Sequence, residues 1–522
     1  MRTIAPAILV AIAVMFAGCH ARPPAEAAGT LPGAKAIAMS VPVLKGLPQN
    51  PVQHIELDIP PGFEGGVLES LTCELGDGSP ALVSEVGLWR TDTADFVRPT
   101  RIATAAVRGR TLTVRSDEAL RPGRHHLWVT LDPSARCVAG DRIRFGCASI
   151  RIRRPGSKAS AIRFEGSLRT HPVGSVVRRA GDDGVHTYRI PGIVSTDKGT
   201  LLAVYDIRYR NSRDLPGDVD VGLSRSTDGG RTWSPMKVIM DMGAPHENNG
   251  IGDPAILFDP VTKRVWVAAL WSKGNRSIAG SKPGLSPDTT GQFVLAYSDD
   301  DGLSWSMPYS ITPQVKDPAW HLFFQGPGNG IALQDGRLVF AAQYWDEQRM
   351  PWSTIIHSAD HGASWKGSIR GPKSNTTEAQ VVETTPGTLM LNMRDNRRGS
   401  RSVAVTNDFG ASWTEHPTSR TALPEPVCMA SLIRARVNVS GTMRDVLFFS
   451  NPLSTKARLD MTVQASSDLG ETWPQAHRLL VDQRPCYGYS SLVQIDAETI
   501  GLLYEGSGDL YFVPIPVSEV VK

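Results

Sequence analysis

The 522-residue chain carries 55 basic and 52 acidic residues, a net charge of +3, and 41% hydrophobic residues. That length points to more than one domain without fixing the count, and the apolar content suffices for a large core. The near-balance of charge argues against a general nucleic-acid binder, but it leaves room for a local basic pocket that takes an acidic ligand.

The first elements concern export. Arg2 gives a positive start, residues 4–17 form an apolar run too short to span a bilayer comfortably, and the run closes on FAGC at Cys19. Small residues before the cysteine resemble a bacterial lipoprotein signal, with Phe16 where Leu is usual. On that reading residues 1–19 are the signal segment, and a lipidated Cys19 anchors the protein in the cell envelope. The alternative is ordinary secretion with cleavage nearby. Both take the protein out of the cytoplasm. Residues 20–46, with their Ala, Gly and Pro, read as a tether. From 47 to 160 come short β-like runs such as HHLWVTL and DRIRFGCASIRI, punctuated by Gly, Pro and Asp, with no helical period; a β-sandwich is expected. RRPGSKAS (153–160) reads as a domain boundary. Besides Cys19 there are Cys73, Cys137, Cys147, Cys428 and Cys486. An odd number cannot all pair, and the spacing is no zinc ribbon. Cys137 and Cys147 are placed to bridge a hairpin; free buried thiols are the alternative.

Residues 161–522 carry a repeat. STDGGRTW at 226–233 returns as SDDDGLSW, SADHGASW, TNDFGASW and SSDLGETW, with aspartates at 228, 300, 360, 408 and 468 and separations of 72, 60, 48 and 60. Recurrence on that scale marks a repeat architecture. Each phrase follows a strand-like run such as VDVGLSRS or QFVLAYS, so the unit is strand, tight turn, strand, which fits a β-propeller blade. The Asp side chain bonds backbone N–H groups ahead of it, the Gly accepts positive φ, and the Trp buries a large face. A calcium site is the weaker reading, because each phrase has one dependable carboxylate and calcium takes six to eight oxygens.

HTYRIPGIV (186–194), followed by YDIRYRNSRDLP, GDPAIL, NTTEAQ, LNMRDNRRGSR, FSNPLSTKAR and YGYSSL in that order, resembles the bacterial exo-sialidases of glycoside hydrolase family thirty-three; the repeated phrases are similar to the Asp boxes of that family and of other propellers. The resemblance runs from about residue 178 to the C-terminus and implies an all-β chain, a six-bladed β-propeller here preceded by the sandwich. It implies that Arg189, Arg394 and Arg458 hold the substrate carboxylate, since guanidinium forks match its plane. It makes Tyr489 the nucleophile with Glu378 as the partner that takes its proton, sialidases being an exception to the two-carboxylate pattern of glycosidases. Tyr487 would share a strand face with Tyr489, and similarity to the family's YSSL favours Tyr489. Asp214, in a Gly- and Pro-flanked loop, is the acid/base by resemblance, with Asp218 and Asp220 as competitors. Arg208 and Asp253 match pocket-lining positions, a structural ion pair being the other reading of both. Arg397, Arg398 and Arg401 read as flanking surface. The implied reaction is retaining hydrolysis of terminal sialic acid from a sialylated glycan, and its chemistry requires no cofactor. A trans-sialidase, an intramolecular trans-sialidase, a hydrolase preferring deaminated sialic acid and a non-catalytic glycan-binding propeller are the alternatives.

Overall fold

The computed structural model describes residues 32–166, 168–367 and 370–522; the signal segment and Cys19 lie outside the described residues. The described chain is all-β. Residues 33–178 build two sheets. In the first, Gly33–Ala38, Pro51–Ile59, Gly123–Pro133, Val83–Thr91 and Thr100–Ala106 lie side by side in that order, all antiparallel. Strand alternation sorts its faces: Ile55, Leu57, Leu127 and Val129 enter the core, and His54, Glu56 and His126 take the opposite face. The second sheet contains Gly66–Leu75, Thr111–Leu120 and Arg142–Arg153, and presents Leu71, Cys73, Phe145 and Ile150 to the same core.

Three expectations change here. Residues 33–45, expected within the tether over 20–46, are built into sheets: Gly33–Ala38 is an edge strand on Pro51–Ile59, and Val43–Lys45 pairs in parallel with Arg169–Arg178. Small alanines, poor strand formers alone, suffice where a neighbouring strand supplies the ladder. The boundary at 153–160 is a hairpin turn, since Ser160–Arg163 pairs back on Arg142–Arg153. The Cys137–Cys147 bridge does not form: the five described thiols are free, and Cys147 stands opposite Cys73 with the sulfurs 3.7 Å apart.

The strand Arg169–Arg178 belongs to two neighbourhoods. Its first half pairs with Arg142–Arg153 and its second half with Leu510–Pro516. It is thereby the outer strand of the last of a series of sheets, each with a core of four antiparallel strands and two of them with a short fifth, that begins at Thr187–Ser195. The innermost strands of these sheets bond sideways to each other: Ile193 N to Ser491 Oγ (3.1 Å), Leu492 N to Ser431 Oγ (2.9 Å), Gly330 N to Ile256 O (2.9 Å) and Gln380 Nε2 to Pro327 O (2.9 Å). Those lateral bonds gather the inner strands around one axis, as in the β-propeller fold. The glycines of GPGNG serve that crowding: a Cβ on Gly330 would lie 2.6 Å from Phe340, and one on Gly326 would lie 2.7 Å from the carbonyl of Ala379.

Each repeated phrase is the turn between the third and fourth strands of its sheet. In the first, Ser226 Oγ donates to Asp228 Oδ1 (2.8 Å) and accepts from Gly230 N (2.9 Å); Asp228 accepts from Thr232 N (3.0 Å) and Thr232 Oγ1 (2.7 Å). The same four bonds recur around Asp300, Asp360, Asp408 and Asp468. Both carboxylate oxygens are therefore engaged by the turn itself. The sheet closed by Arg169–Arg178 has no such turn, because its third strand, Leu510–Pro516, leads to the chain end.

Two outcomes follow from this turn. At Gly362, φ is +89° and an added Cβ would lie 2.2 Å from the ring of Trp266. Gly362→Ala combines a strained backbone with a steric clash, and should lower stability by about 1–3 kcal/mol, measured as a drop in the thermal unfolding midpoint. The hydroxyls of Ser304, Ser364 and Ser412 are the main cause that holds the carboxyls of Asp300, Asp360 and Asp408 down at about 2. Their stabilisation is complete above the unfolded value of about 4 and is lost as pH falls toward 2. Asp360→Asn should therefore melt lower than wild type at pH 7 and lose less of its midpoint between pH 4 and pH 2.

Candidate active site

At one end of the axis, three innermost strands carry the same irregularity. In Thr187–Ser195, Ile190 and Pro191 stand opposite one residue; in Ile251–Phe258, Asp253 and Pro254 do so; in Thr376–Thr385, Thr377 and Glu378 face Arg394. Such bulges bend a strand and re-aim its side chains. Ile190 (φ +55°) and Asp253 (φ +57°) are both in the left-handed region, a rare setting for a β-branched residue such as Ile190. Ile190 is held there by its N–H, which donates to Glu505 Oε1 (2.9 Å), and by packing against Cys428, Met429 and Tyr489.

Glu505, at the end of Thr499–Glu505, has a side chain with no solvent exposure. It accepts from Arg189 Nε (3.0 Å) and Nη2 (3.5 Å) and from the N–H of Tyr489 (2.9 Å). The Arg189 guanidinium lies 4.9 Å from the ring of Tyr487 and 5.2 Å from that of Tyr489. Arg458 approaches the Tyr489 ring from 5.5 Å, steadied by bonds to the carbonyls of Tyr487 (2.8 Å) and Val427 (3.1 Å). Tyr489 donates its hydroxyl proton to Glu378 Oε1 (2.5 Å). Arg394 Nη1 donates to Glu378 Oε2 (2.6 Å) and to the Tyr489 hydroxyl (2.9 Å). Its Nε is buried without a hydrogen-bond partner among the described residues. Burial, then the Glu378 carboxylate, holds the Tyr489 phenol well above its ordinary pKa, with Arg394 and Arg189 opposing. The hydroxyl thus keeps its proton among these groups.

Asp214 stands at the mouth with three-quarters of its side chain exposed. It accepts from Arg208 Nη1 (2.7 Å) and Arg189 Nη1 (3.3 Å). The protein around it works against its charge, but the two guanidinium groups outweigh that and hold its carboxyl below the usual range. Arg208 is only 1% exposed, and its fork is spent on Asp206 Oδ2 (2.9 and 3.1 Å). The ion-pair reading of Arg208 is the one the geometry displays, and the residue bears on the cavity through Asp214. Asp206 also accepts from the N–H of Asp253 (2.8 Å). Burial, then Asp206 and Asp214, pushes the Asp253 carboxyl well above its ordinary pKa. The eight residues singled out in the sequence are therefore linked by bonds or close contacts in one cluster. Of the competitors, Asp218 pairs with Arg210 and Asp220 accepts from Tyr209, away from the arginine cluster.

The BNR repeat-like domain matches residues 199–504. A sialidase of Bacteroides fragilis (strain YCH46) is 47% identical over 424 residues, covering 79% of this chain and 77% of that one. Among solved structures, the Hadza microbial sialidase Hz136 superposes with a TM-score of 0.86 at 39% identity, covering 93% of this chain and 100% of the other. The chain belongs to the bacterial exo-sialidases. It is thereby a glycoside hydrolase. The intramolecular trans-sialidase from Ruminococcus gnavus, at 18% identity and a TM-score of 0.57 over 66% of this chain and 98% of its own, shares the fold alone.

The sialidase also uses charges that the sequence did not disclose. Arg401, expected on the surface with Arg397 and Arg398, is fully buried; only the other two are exposed. Arg401 donates to Asn392 Oδ1 (2.7 Å) and O (3.1 Å), Glu425 Oε2 (2.9 Å) and the carbonyl of Cys428 (2.7 Å). Glu425 in turn accepts from the N–H of Asp395 (2.8 Å). The pair thus grips the strand on both sides of Arg394 and the turn on which Arg458 leans. Glu505, Asp206 and Glu425 each left one signal, a carboxylate set among apolar residues that requires a partner; which arginine answers it is not a local property. Arg401→Met should cost about 3–5 kcal/mol by stranding Glu425, and Arg401→Met with Glu425→Leu should recover much of that loss in urea unfolding.

Proposed function

We propose that the sialidase removes terminal α-linked sialic acid from glycoproteins, glycolipids and oligosaccharides with retention, through a covalent intermediate on Tyr489. The Tyr489–Glu378–Arg394 triangle is the observation that carries this reading. Sialic acid bears a carboxylate on its anomeric carbon, so a carboxylate nucleophile would be repelled, whereas a neutral phenol is not until its proton leaves. The proton has a path, the 2.5 Å bond to Glu378. Arg394 donates to the phenol oxygen and to the other oxygen of the Glu378 carboxylate, and steadies the charge as it moves between the two groups. Arg189, Arg394 and Arg458 face the substrate carboxylate.

Asp214 protonates the leaving oxygen. Before substrate binds, Arg208 and Arg189 outweigh its burial and favour the carboxylate form. A substrate carboxylate that takes over Arg189 removes part of that support and covers the loop, and both effects raise the pKa toward what an acid requires. In the second half, Asp214 draws a proton from water, the water attacks the anomeric carbon, and Tyr489 leaves and recovers its proton from Glu378. Asp253, whose carboxyl its surroundings push toward the protonated form, faces the sugar as a donor.

The sheet series and the closing strand support six blades, with the sheets over 33–163 as a sandwich ahead of them. Export with a lipid on Cys19 suits an enzyme whose glycan substrates lie outside the cell.

A fluorinated sialosyl fluoride should label the peptide containing Tyr489, and Tyr489→Phe should abolish labelling and lower kcat by about a hundredfold or more. Label on another residue, with full activity in Tyr489→Phe, would overturn the assignment. Product analysis with and without an added acceptor separates hydrolysis from transfer.

A further inference from the structure

We propose that the outer face of the first sheet is a binding site for one divalent transition ion of the zinc type, ligated by His54, Glu56 and His126. The site lies on the strands Pro51–Ile59 and Gly123–Pro133, outside the arginine cluster. His54 and Glu56 are two residues apart and share a face. In the antiparallel register Glu56 is opposite His126, and His54 is opposite Trp128, two residues further along the same strand. The fold therefore sets three ligand types at the corners of one small triangle.

The distances suit coordination. His54 Nε2 and His126 Nδ1 are 3.1 Å apart, and one ligand atom from each of the three residues lies within 4.8 Å of the others. Nitrogens bound to one zinc at about 2.0–2.1 Å are separated by about 3.3 Å in a tetrahedral site. The imidazole pair already has that spacing; a tilt of the rings and a rotamer change of Glu56 complete the triangle. The ion would take the place of the proton now shared between the two rings, the donor ring carrying its proton on the other nitrogen instead.

The pocket behind the ligands is built. Trp128 stacks on His54 with centroids 4.5 Å apart, and Phe96 packs edge-on against Trp128 at 5.4 Å. Trp128 is itself fixed by its Nε1 bond to Thr91 Oγ1 (3.0 Å). His54 is buried, while Glu56 and His126 are partly exposed, so an ion has an approach from solvent. Two imidazoles and a carboxylate select zinc, nickel or copper over calcium or magnesium. Three protein ligands leave one position for water. The ion would tie together two central strands of the sheet.

The full exported chain, stripped with a chelator and dialysed, is titrated with zinc chloride by calorimetry, and with cobalt(II) followed by its visible absorption. One saturable equivalent is expected, with a raised melting temperature. Glu56→Gln and His126→Ala, both at partly exposed positions, should each weaken zinc binding by about tenfold or more. Their metal-free melting and sialidase activity should stay at the wild-type level. Absence of saturable binding would overturn the proposal. So would undiminished zinc affinity in both variants, which would place the ion elsewhere.

Discussion

An ionised carboxylate taken out of water costs several kcal/mol even after the protein relaxes around it, so it persists only where donors surround it. Glu505 is such a group, and its donors come from both ends of the sheet series. Arg189 and Ile190 belong to the first sheet; Tyr489 immediately precedes Ser490–Gln494 in the last. The charge that must be satisfied inside the protein can be satisfied only when first and last sheets meet. When they do, Arg189 is fixed over the ring of Tyr489. Closing the ring and assembling the site are the same event, and a chain with an open ring would have neither.

The seam is held at other radii as well. At the axis, Asn329 donates to the carbonyls of Ile193 (2.6 Å) and Leu492 (3.2 Å), one from each side. At the rim, Trp233 of the first repeated turn packs on Phe512 at 5.3 Å and donates to Ser175 Oγ (3.0 Å), while Ser175 donates to the carbonyl of Gly230 (2.8 Å). Ser175 lies on the strand that also pairs with the sheets over 33–163. Those sheets are therefore attached through the strand that closes the ring. A disturbance of their pairing has a covalent route to the seam, and through the seam to Arg189.

What could be read in the sequence was what is local. The repeated turn is written in eight consecutive residues, and its bonds lie within a span of seven, so pattern and mechanism are both visible in one window. Alternation could not choose between Tyr487 and Tyr489, because two residues apart on a strand share a face. In the structure both tyrosines precede the strand Ser490–Gln494, so no common strand face relates them, and it is the Tyr489 hydroxyl that bonds Glu378. Arg401 was misjudged because DNRRGSR looks like a solvated run; its partner, Glu425, is 24 positions away. The edge strand at Gly33–Ala38 reads as a tether because its alanines carry no strand preference, and its order comes from Pro51–Ile59. Each error lies where a non-local partner overrides local composition.

The bulges show how a repetitive scaffold is made to do something singular. A regular inner strand sends alternate side chains to either face and leaves none directed along the axis. Pairing two residues against one rotates the strand, so that Arg189, Asp253 and Glu378 leave the alternation beside the cavity. Ladder bonds are forfeited at each bulge, and two of the three place a proline there, Pro191 and Pro254, which has no N–H to forfeit. The third has none, but there the single residue opposite is Arg394, which recovers the loss by donating to Glu378 across the irregularity. The opposite ends of Thr187–Ser195 and Ile251–Phe258 stay regular and supply apolar packing between sheets. Irregular pairing beside the cavity, on inner strands whose middles keep a regular ladder, is thus what allows a stable ring to carry a site built of strained and charged residues.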